Sequence, residues 1–432
     1  MKKNKVGLIM FPAFDWQISS THPERVERLL YTKDQLEEEG LDDLDNIKYY
    51  NPSVASIKDI ERAHFLIPSH KDIVTNSHLV SAGGAIKALD LVMSKEVDKA
   101  FSITRPPGHH AMEVVYGDRG FCVVNNEAVM IEHIRKKYGN IKVAIIDTDC
   151  HHGDGTENIY ESDPNTLFIS VHQDGRTLYP GTGFLDELGE GMGYGYNINI
   201  PLPPNTGDKG YLYVAKNIIN PIIEDFKPDI IIQGAGQDNH YSDPLTNMNL
   251  SARGYAKLTE ILNPDVLVLE GGYSIEGALP YLNLAIILAL SNHDYSNILE
   301  PDFNIKKVTE TTDVLNYIKE LEKIILSNWK NKDELRKKKL KDFKSYSINR
   351  RIYYDTSNIM ENQNITYHIC DKCQSLKVIT TNSSTNILAK TINIPIDACN
   401  KCIKLGYEIY ENSKSEKYTY LRDRTKDFYL SK

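Results

Sequence analysis

The chain has 432 residues, of which 41% are hydrophobic and 25% are charged, as in a folded globular protein with room for two or three domains. A formal net charge of -9 argues against a protein whose overall electrostatic field attracts nucleic acids or anionic membranes. The longest apolar run, around 282–290, is too short to span a bilayer, and the first residues lack a signal-peptide core. We therefore expect a cytoplasmic protein with no membrane partner.

Short β-branched runs alternate with helical patterns up to about residue 291, as is typical of βαβ units around a parallel sheet. The predicted strands are 6–10, 100–104, 143–147, 166–172, 230–233 and 266–269. The predicted helices between them are 23–39, 124–138, 209–226 and 251–262. The pattern predicts one α/β domain over 1–300, with helices flanking a parallel sheet.

The composition changes after residue 292, and 313–344 has the pattern of a charged helix. We therefore expect a charged helical connector over 301–365. Within it, residues 332–344 include seven Lys or Arg but only three Asp or Glu. Such a basic stripe is typical of a solvated helix face or an interdomain strut, and contact with nucleic acid is the alternative.

Two Cys-x-x-Cys pairs lie in the last segment, 366–432: Cys370 with Cys373, and Cys399 with Cys402. Two such pairs about 25 residues apart predict a four-thiolate structural zinc site in a small zinc-ribbon-like module with a tail. A thiol–disulfide motif is the alternative, but it would need no second pair. The role of this module is expected to be positional: docking on the α/β domain, forming a homo-oligomer, or holding a protein partner.

Polar loops follow four of the predicted strands. The strand 143–147 runs into Asp147, Asp149 and His151, which alternation places on one side of the chain. The other three loops contain His109-His110, Gln237-Asp238 and Glu270-Gly271-Gly272-Tyr273. Because buried acids are costly unless they are paired or bound to metal, a metal site explains this cluster better than a hydrogen-bonded turn does. The loops therefore predict an active site at one edge of the sheet.

Together these loops resemble the histone deacetylase superfamily, the arginase-like zinc amidohydrolases that include protein lysine deacetylases and acetylpolyamine amidohydrolases. The resemblance covers roughly 10–291. It rests on RPPGHHA (105–111), GFC (120–122), DTDCHHGDG (147–155), YPGTG (179–183), GQD and SDP (236–244) and EGGY (270–273), in family order. It implies an arginase/deacetylase-like fold.

The resemblance also implies metal sites. Asp149, His151 and Asp238 correspond to the three ligands of the catalytic zinc, which would leave an open position on the metal. Ser170, which follows the strand residues 166–169, corresponds to the serine of a potassium site beneath the zinc.

Five further residues correspond to the proton-transfer groups of the family. His109 and His110 match the tandem histidines beside the metal, supported by Asp147 and Asp154 respectively. Tyr273 matches the tyrosine that polarises the substrate carbonyl. These roles predict that one histidine takes a proton from water while Tyr273 donates to the developing oxyanion.

The substrate channel is expected to be lined by Gly120, Phe121 and Tyr179, where Tyr179 replaces the commoner phenylalanine. Leu245, just after Asp243-Pro244, occupies the expected gatekeeper position at the channel mouth. An apolar gatekeeper favours acyl-lysine in a protein or peptide over an acetylpolyamine. An acid supplied by Asp174, by Glu187 or by an oligomer partner would reverse this preference.

The expected function is therefore zinc-dependent hydrolysis of an N-acyl amide, most simply an acetylated lysine. The first alternative is deacetylation of an acetylpolyamine or another small N-acetylated amine. A two-manganese ureohydrolase would need a carboxylate-rich bridge, which the His109-His110 loop does not provide. A non-catalytic acyl-lysine-binding scaffold should lack a metal ligand or the tyrosine, and neither is missing.

Overall fold

The structure is a computed structural model that describes residues 2–13, 15–301, 303–306, 308–414 and 416–432. Ten strands precede residue 270: β1 Val6–Phe11, β2 Ile47–Tyr50, β3 Phe65–Leu66, β4 Lys99–Thr104, β5 Val114–Val115, β6 Val143–Asp147, β7 Thr166–Gln173, β8 Asn197–Leu202, β9 Ile230–Ala235 and β10 Val266–Leu269. Eight of them form one parallel sheet in the order β2-β1-β4-β10-β9-β6-β7-β8. The remaining two, β3 and β5, pair with each other.

In the described part of the chain, nine α-helices accompany these strands: α1 Leu30–Glu38, α2 Ile57–Ala63, α3 Asn76–Met93, α4 Asn126–Tyr138, α5 Asp154–Tyr160, α6 Asp208–Val214, α7 Asn220–Phe226, α8 Ala252–Leu262 and α9 Leu279–Leu290. A π-helical turn, Ala215–Ile219, joins α6 to α7. Within the described ranges, no helix combines the length and apolarity needed to cross a bilayer. The parallel sheet flanked by helices confirms the predicted fold class.

All six predicted strands are present, but β2, β3, β5 and β8 were not predicted. The helix α3 was missed as well, because Gly83-Gly84 in its middle reads as a break. A Cβ atom at Gly83 would lie 2.1 Å from the carbonyl oxygen of Ser53, and one at Gly84 would lie 2.7 Å from Cγ2 of Thr104. Both glycines therefore serve close packing of α3 against its neighbours.

The order of the sheet brings the four strands with polar carboxyl-terminal loops together. The strands β4, β10, β9 and β6 are consecutive neighbours at the centre of the sheet. Because they are parallel, their carboxyl ends lie at one edge, where open α/β sheets place their ligands.

Two helices, α10 Thr312–Lys330 and α11 Lys332–Leu340, connect this domain to a second sheet. The basic stripe lies on α11 and part of it contacts the α/β domain: Nζ of Lys339 lies 2.8 Å from Oε2 of Glu190. Nζ of Lys332 lies 3.8 Å from the ring centre of Trp329 on α10. These contacts are those of a strut between domains.

The second sheet has six strands: β11 Ser345–Tyr354, β12 Ile359–His368, β13 Leu376–Ser383, β14 Leu388–Ile394, β15 Tyr418–Asp423 and β16 Phe428–Ser431. Neighbours are antiparallel except β14 and β15, which are parallel and joined through helix α12, Asn400–Asn412. The residues 345–365, expected to be helical, are mostly strand instead. The polar, half-exposed alternation of β11 does not distinguish it from a charged linker.

One face of the second sheet packs against the α/β domain. A shared apolar cluster joins Phe65, Met112 and Val114 of the domain to Tyr354 and Tyr367 of the sheet. The opposite face is covered by α12. The C-terminal module is therefore docked, as one of the sequence-based expectations had it.

A buried ionic group lies in this interface. Nζ of Lys377, on β13, lies 2.9 Å from Oε2 of Glu113 and 2.7 Å from Oε1 of Glu161. Glu113 and Glu161 belong to the α/β domain, and each also pairs with an arginine of the second sheet, Arg422 and Arg350 respectively. The side chain of Lys377 is 1% exposed, so its charge depends on these two partners.

We expect Lys377→Ala to lower the free energy of unfolding by about 3–5 kcal/mol, because it removes one member of a buried ionic group. Urea denaturation followed by circular dichroism measures the effect. Lys404→Ala, at a side chain that is 79% exposed, should change stability little. Equal stability of the two variants would contradict the role of Lys377 in docking.

Candidate metal-dependent active site

A cavity of about 280 Å³ opens at the carboxyl edge of the large sheet. It is lined by residues from six loops of the α/β domain and one from the second sheet: His109, His110, Gly120, Phe121, His151, Leu178, Tyr179, Leu245, Tyr273 and Asp355. The structure thus brings the predicted histidines, channel residues and tyrosine together around one space.

Asp149, His151 and Asp238 form a group of three possible metal ligands beside this cavity. Their nearest ligand atoms all lie within 4.8 Å of one another. Nδ1 of His151 lies 2.8 Å from Oδ2 of Asp238 and 3.2 Å from Oδ1 of Asp149. Both carboxylates are fully buried. Two carboxylates and one imidazole are a donor set that suits a divalent ion with one position left for a ligand.

The backbone leaves room for this group. A Cβ atom at Gly271 would lie 2.5 Å from Oδ2 of Asp238 and 2.6 Å from Oδ2 of Asp149. Its own N–H donates to Oδ2 of Asp149 over 2.6 Å. Glycine is therefore required where the loop after β10 passes the two carboxylates, and the residues present fit a metal site.

The tandem histidines each face a carboxylate. Nδ1 of His109 lies 3.0 Å from Oδ2 of Asp147, and Nδ1 of His110 lies 2.8 Å from Oδ1 of Asp154. Nε2 of His109 is 3.8 Å from Oδ1 of Asp149. The second ring nitrogen of His109 thus points towards the metal-ligand group, while the carboxylate of Asp147 fixes the orientation of the ring.

Burial and close charges shift the pKa values of these groups. Burial lowers the pKa of His109, but the carboxylates of Asp149 and Asp147 outweigh it and leave the pKa well above its ordinary value. For His110, burial and the neighbouring His109 lower the pKa to about 3. Burial and the charge of Asp149 raise the pKa of Asp238 to about 6. A divalent ion at this point would relieve the crowding of the two acids.

Aromatic side chains form the walls of the cavity. The ring of Phe121 meets that of Tyr273 edge-on at 5.7 Å, and the ring of Tyr179 meets His110 at 5.2 Å. Gly120 and Phe121 have φ values of +52° and +69°, so a left-handed turn points Phe121 into the cavity. Leu245 is half-buried at the same cavity, as expected for a residue at the mouth.

Sequence analysis missed several residues that hold these loops. Glu270 accepts hydrogen bonds from the N–H groups of Gly108 and His109, at 2.7 and 3.0 Å. Asp243 accepts from the N–H of Tyr273 at 2.7 Å. Arg28 stands 4.9 Å above the ring of Tyr273. Glu270 and Asp243 belong to the EGGY and SDP motifs, so the sequence places them near the site. Arg28 belongs to none of the motifs, and no local sequence pattern links it to the site.

Ser170 lies below the site on β7. It is fully buried, and its Oγ is 2.8 Å from Nδ1 of His172. The potassium site implied by the resemblance stays a prediction.

Another group of possible metal ligands consists of His152, Glu157 and Glu187, and its members already form hydrogen bonds within the protein. His152 bonds Glu157 and Thr182, and Glu157 also accepts from two asparagine side chains.

The four cysteines of the second sheet form a compact group. Sγ of Cys370 lies 3.8 Å from that of Cys399, and Sγ of Cys373 lies 3.5 Å from that of Cys402. Tetrahedral coordination with metal–sulfur bonds of about 2.3 Å places neighbouring sulfurs about 3.8 Å apart. A hydrogen bond from the N–H of Cys402 helps to lower the pKa of Cys399 to about 7, which favours the thiolate. The group therefore fits a four-thiolate metal site.

Comparison with known proteins agrees with this geometry. A family model for the histone deacetylase domain matches residues 66–287. The chain belongs to the histone deacetylase family. Members of this family are hydrolytic deacetylases that depend on a metal ion.

Individual histone deacetylase relatives match different shares of the chain. A probable deacetylase of Archaeoglobus fulgidus is 46% identical over 311 residues, covering 66% of this chain and 85% of that protein. A histone deacetylase-like amidohydrolase of Pseudomonas aeruginosa is 40% identical over 223 residues, covering 49% of this chain and 57% of that protein. The crystal structure of the HDA15 HD domain aligns with a TM-score of 0.65 at 25% identity, covering 78% of this chain and 99% of that one.

We expect two metal ions per chain, because two separate ligand groups fit one each. Asp238→Ala and Cys399→Ser should each remove about one ion, and the double variant should remove both. Metal analysis of the purified proteins measures this. Asp342→Asn, at an exposed acid far from both groups in the sequence, should keep both ions. Retention of two ions by Asp238→Ala would contradict the assignment of that ligand.

Proposed function

We propose that this histone deacetylase hydrolyses the N-acyl amide of an aliphatic amine with a catalytic zinc ion, and that acetylated lysine in a protein or peptide is the expected substrate. One observation carries the proposal: two carboxylate-paired histidines, a tyrosine and a three-ligand group meet around one aromatic-walled cavity. Apolar walls suit the methylene chain of a lysine side chain, and Leu245 adds an apolar contact at the mouth.

Asp149, His151 and Asp238 would hold the zinc. A bound zinc ion would supply the positive charge that activates water and polarises the amide carbonyl. Glu270 and Gly271 would not contact the zinc, but they support the residues that hold it and the histidines beside it. Glu270 orders the loop that carries the histidines, and Gly271 leaves space for the carboxylates.

His109 and His110 would move the protons. His109 is assigned to accept a proton from the attacking water at Nε2, where Asp147 holds Nδ1 and stabilises the cation that forms. The carboxylate charge that raises the pKa of His109 would be offset by a zinc ion held by Asp149, and the imidazole would so be free to accept the proton. His110 is held in the same way by Asp154 and lies with its ring centre 4.1 Å from that of His109. A proton on either histidine is then available to the departing amine.

Tyr273 would donate a hydrogen bond to the oxygen of the amide as negative charge develops there. Its side chain lines the cavity and is 7% exposed. Burial raises the pKa of Tyr273 well above its ordinary value, so the hydroxyl keeps its proton at neutral pH. A donor of this kind is most useful in the transition state.

A small N-acetylated amine is the second candidate substrate, and one observation favours it. The carboxylate of Asp355 lies at the same cavity as Leu245, so the mouth is not wholly apolar. A non-catalytic scaffold is a weaker explanation, because the ligand group, the histidines and the tyrosine are all present.

The four cysteines are assigned to a structural zinc, because a closed thiolate shell leaves no position for a substrate. Further roles for the module, in a homo-oligomer or with a protein or nucleic acid partner, stay predictions, as does a cytoplasmic location.

We expect Tyr273→Phe to lower kcat roughly 100-fold or more with little change in KM, because the hydroxyl acts chiefly in the transition state. Hydrolysis of an acetyl-lysine peptide measures this, with metal content determined on the same sample. Tyr241→Phe, at a half-exposed tyrosine outside the cavity, serves as the matched control. If Tyr273→Phe keeps near wild-type turnover while holding its metal, the assigned role is wrong.

A further inference from the structure

The turn between β11 and β12 reaches across to the loop that carries Phe121. The N–H of Gly120 donates to Oδ1 of Asp355 over 2.9 Å, and the N–H of Asp118 donates to Oγ of Ser357 over 2.8 Å. The guanidinium of Arg119 donates to the carbonyl oxygen of Tyr353 over 2.5 Å. Three hydrogen bonds thus fasten consecutive residues of the channel loop to the second sheet.

Asp355 is the member of this turn that lines the cavity. Its Oδ1 accepts from Gly120 and, over 3.3 Å, from the hydroxyl of Tyr179. In the part of the chain that the structure describes, Oδ2 has no hydrogen-bond partner and the carboxylate forms no ion pair. The residue is half-buried, so one carboxylate oxygen remains available at the cavity mouth.

Arg119 and His22 interact electrostatically with Asp355, but neither forms an ion pair with it among the described residues. Arg119 is committed to Asp154, which two of its nitrogens contact. Burial lowers the pKa of His22, whose ring meets Phe121 edge-on at 4.3 Å, so this imidazole is neutral at pH 7. Asp118 adds a second carboxyl group nearby: burial and the charge of Asp355 raise its pKa to about 7.

We propose that Asp355 is a specificity-determining residue, which receives an ammonium group on the amine half of the substrate a few methylenes from the scissile amide. This inference rests on the proposed function. The acyl group would occupy the inner end of the cavity and the alkyl chain would pass Phe121 and Tyr179. The ammonium would then meet Oδ2 of Asp355, while Leu245 lines the remainder of the mouth.

The same ammonium chemistry occurs in two kinds of substrate. Monoacetylated diamines and polyamines carry it at the end of the chain, and acetyl-lysine carries it when its α-amino group is free. The second sheet would therefore select the substrate as well as hold the channel loop in place.

The test compares two amides that differ in charge: mono-N-acetyl-1,5-diaminopentane and the neutral N-pentylacetamide. The wild-type protein should prefer the cation by about tenfold or more in kcat/KM. Asp355→Asn keeps an oxygen for Gly120 and Tyr179 but removes the charge. It should lower the ratio of kcat/KM for the cation to kcat/KM for the neutral amide to about one, whatever its effect on the neutral amide alone.

Two variants separate charge from positioning. Ser357→Ala weakens the same turn without altering its charge, so it should affect both amides equally. Asp355→Glu should retain a preference for the cation. An unchanged preference in Asp355→Asn, or no preference in the wild type, would overturn the inference.

Binding measurements distinguish this inference from the proposed function. Calorimetry of both amides with the Tyr273→Phe protein, and with the same protein carrying Asp355→Asn, reports the charge preference without turnover. If the wild type hydrolyses neither amide nor an acetyl-lysine peptide, the proposed function fails, and the binding ratio still decides whether Asp355 selects a cation. Acetyl-lysine with a free or a blocked α-amino group then distinguishes the two kinds of substrate.

Discussion

Negative charge buried at the carboxyl edge of the sheet is the constraint from which the site follows. Asp147, Asp149, Asp238 and Glu270 are all fully buried within a few residues of three adjacent strand ends, those of β6, β9 and β10. Each must be paired, hydrogen-bonded or bound to a cation, since an isolated buried carboxylate costs several kcal/mol. His109 pairs with Asp147, and backbone N–H groups donate hydrogen bonds to Glu270. Asp149 and Asp238 remain, and both carboxylates contact the ring of His151. A divalent cation bound there would complete that charge balance.

A similar charge balance joins the two domains. Glu113 and Glu161 belong to the α/β domain, but the cations that face them, Lys377, Arg422 and Arg350, belong to the second sheet. Apolar side chains from both domains surround this group. The second sheet is therefore part of the folded deacetylase unit, and its turn is held accurately enough for Asp355 to line the cavity.

The sequence predicts most of the central sheet and the site on it, because buried β-branched strands ending in Asp, His and Gly form a local pattern. It does not predict the contribution of the second sheet. Residues 355–358 fall within the span expected to be a helical connector, and only the fold brings Asp355 to Gly120, 235 residues away in the sequence. Lys377 likewise gives no sign of its burial in the sequence, because its partners Glu113 and Glu161 are more than 200 residues away. Long-range partners leave no local signal, whereas alternation and motif spacing do.

The three hydrogen bonds from the turn to residues 118–120 have a consequence for the order of synthesis. The channel loop and the ligand group Asp149, His151 and Asp238 leave the ribosome well before β11 and the turn that hold the loop. A nascent chain can thus assemble the ligand group early, while the mouth of its channel acquires its carboxylate only when β11 and β12 have been made and folded. If Asp355 receives the substrate ammonium as proposed, this selectivity arises late in the maturation of each new molecule.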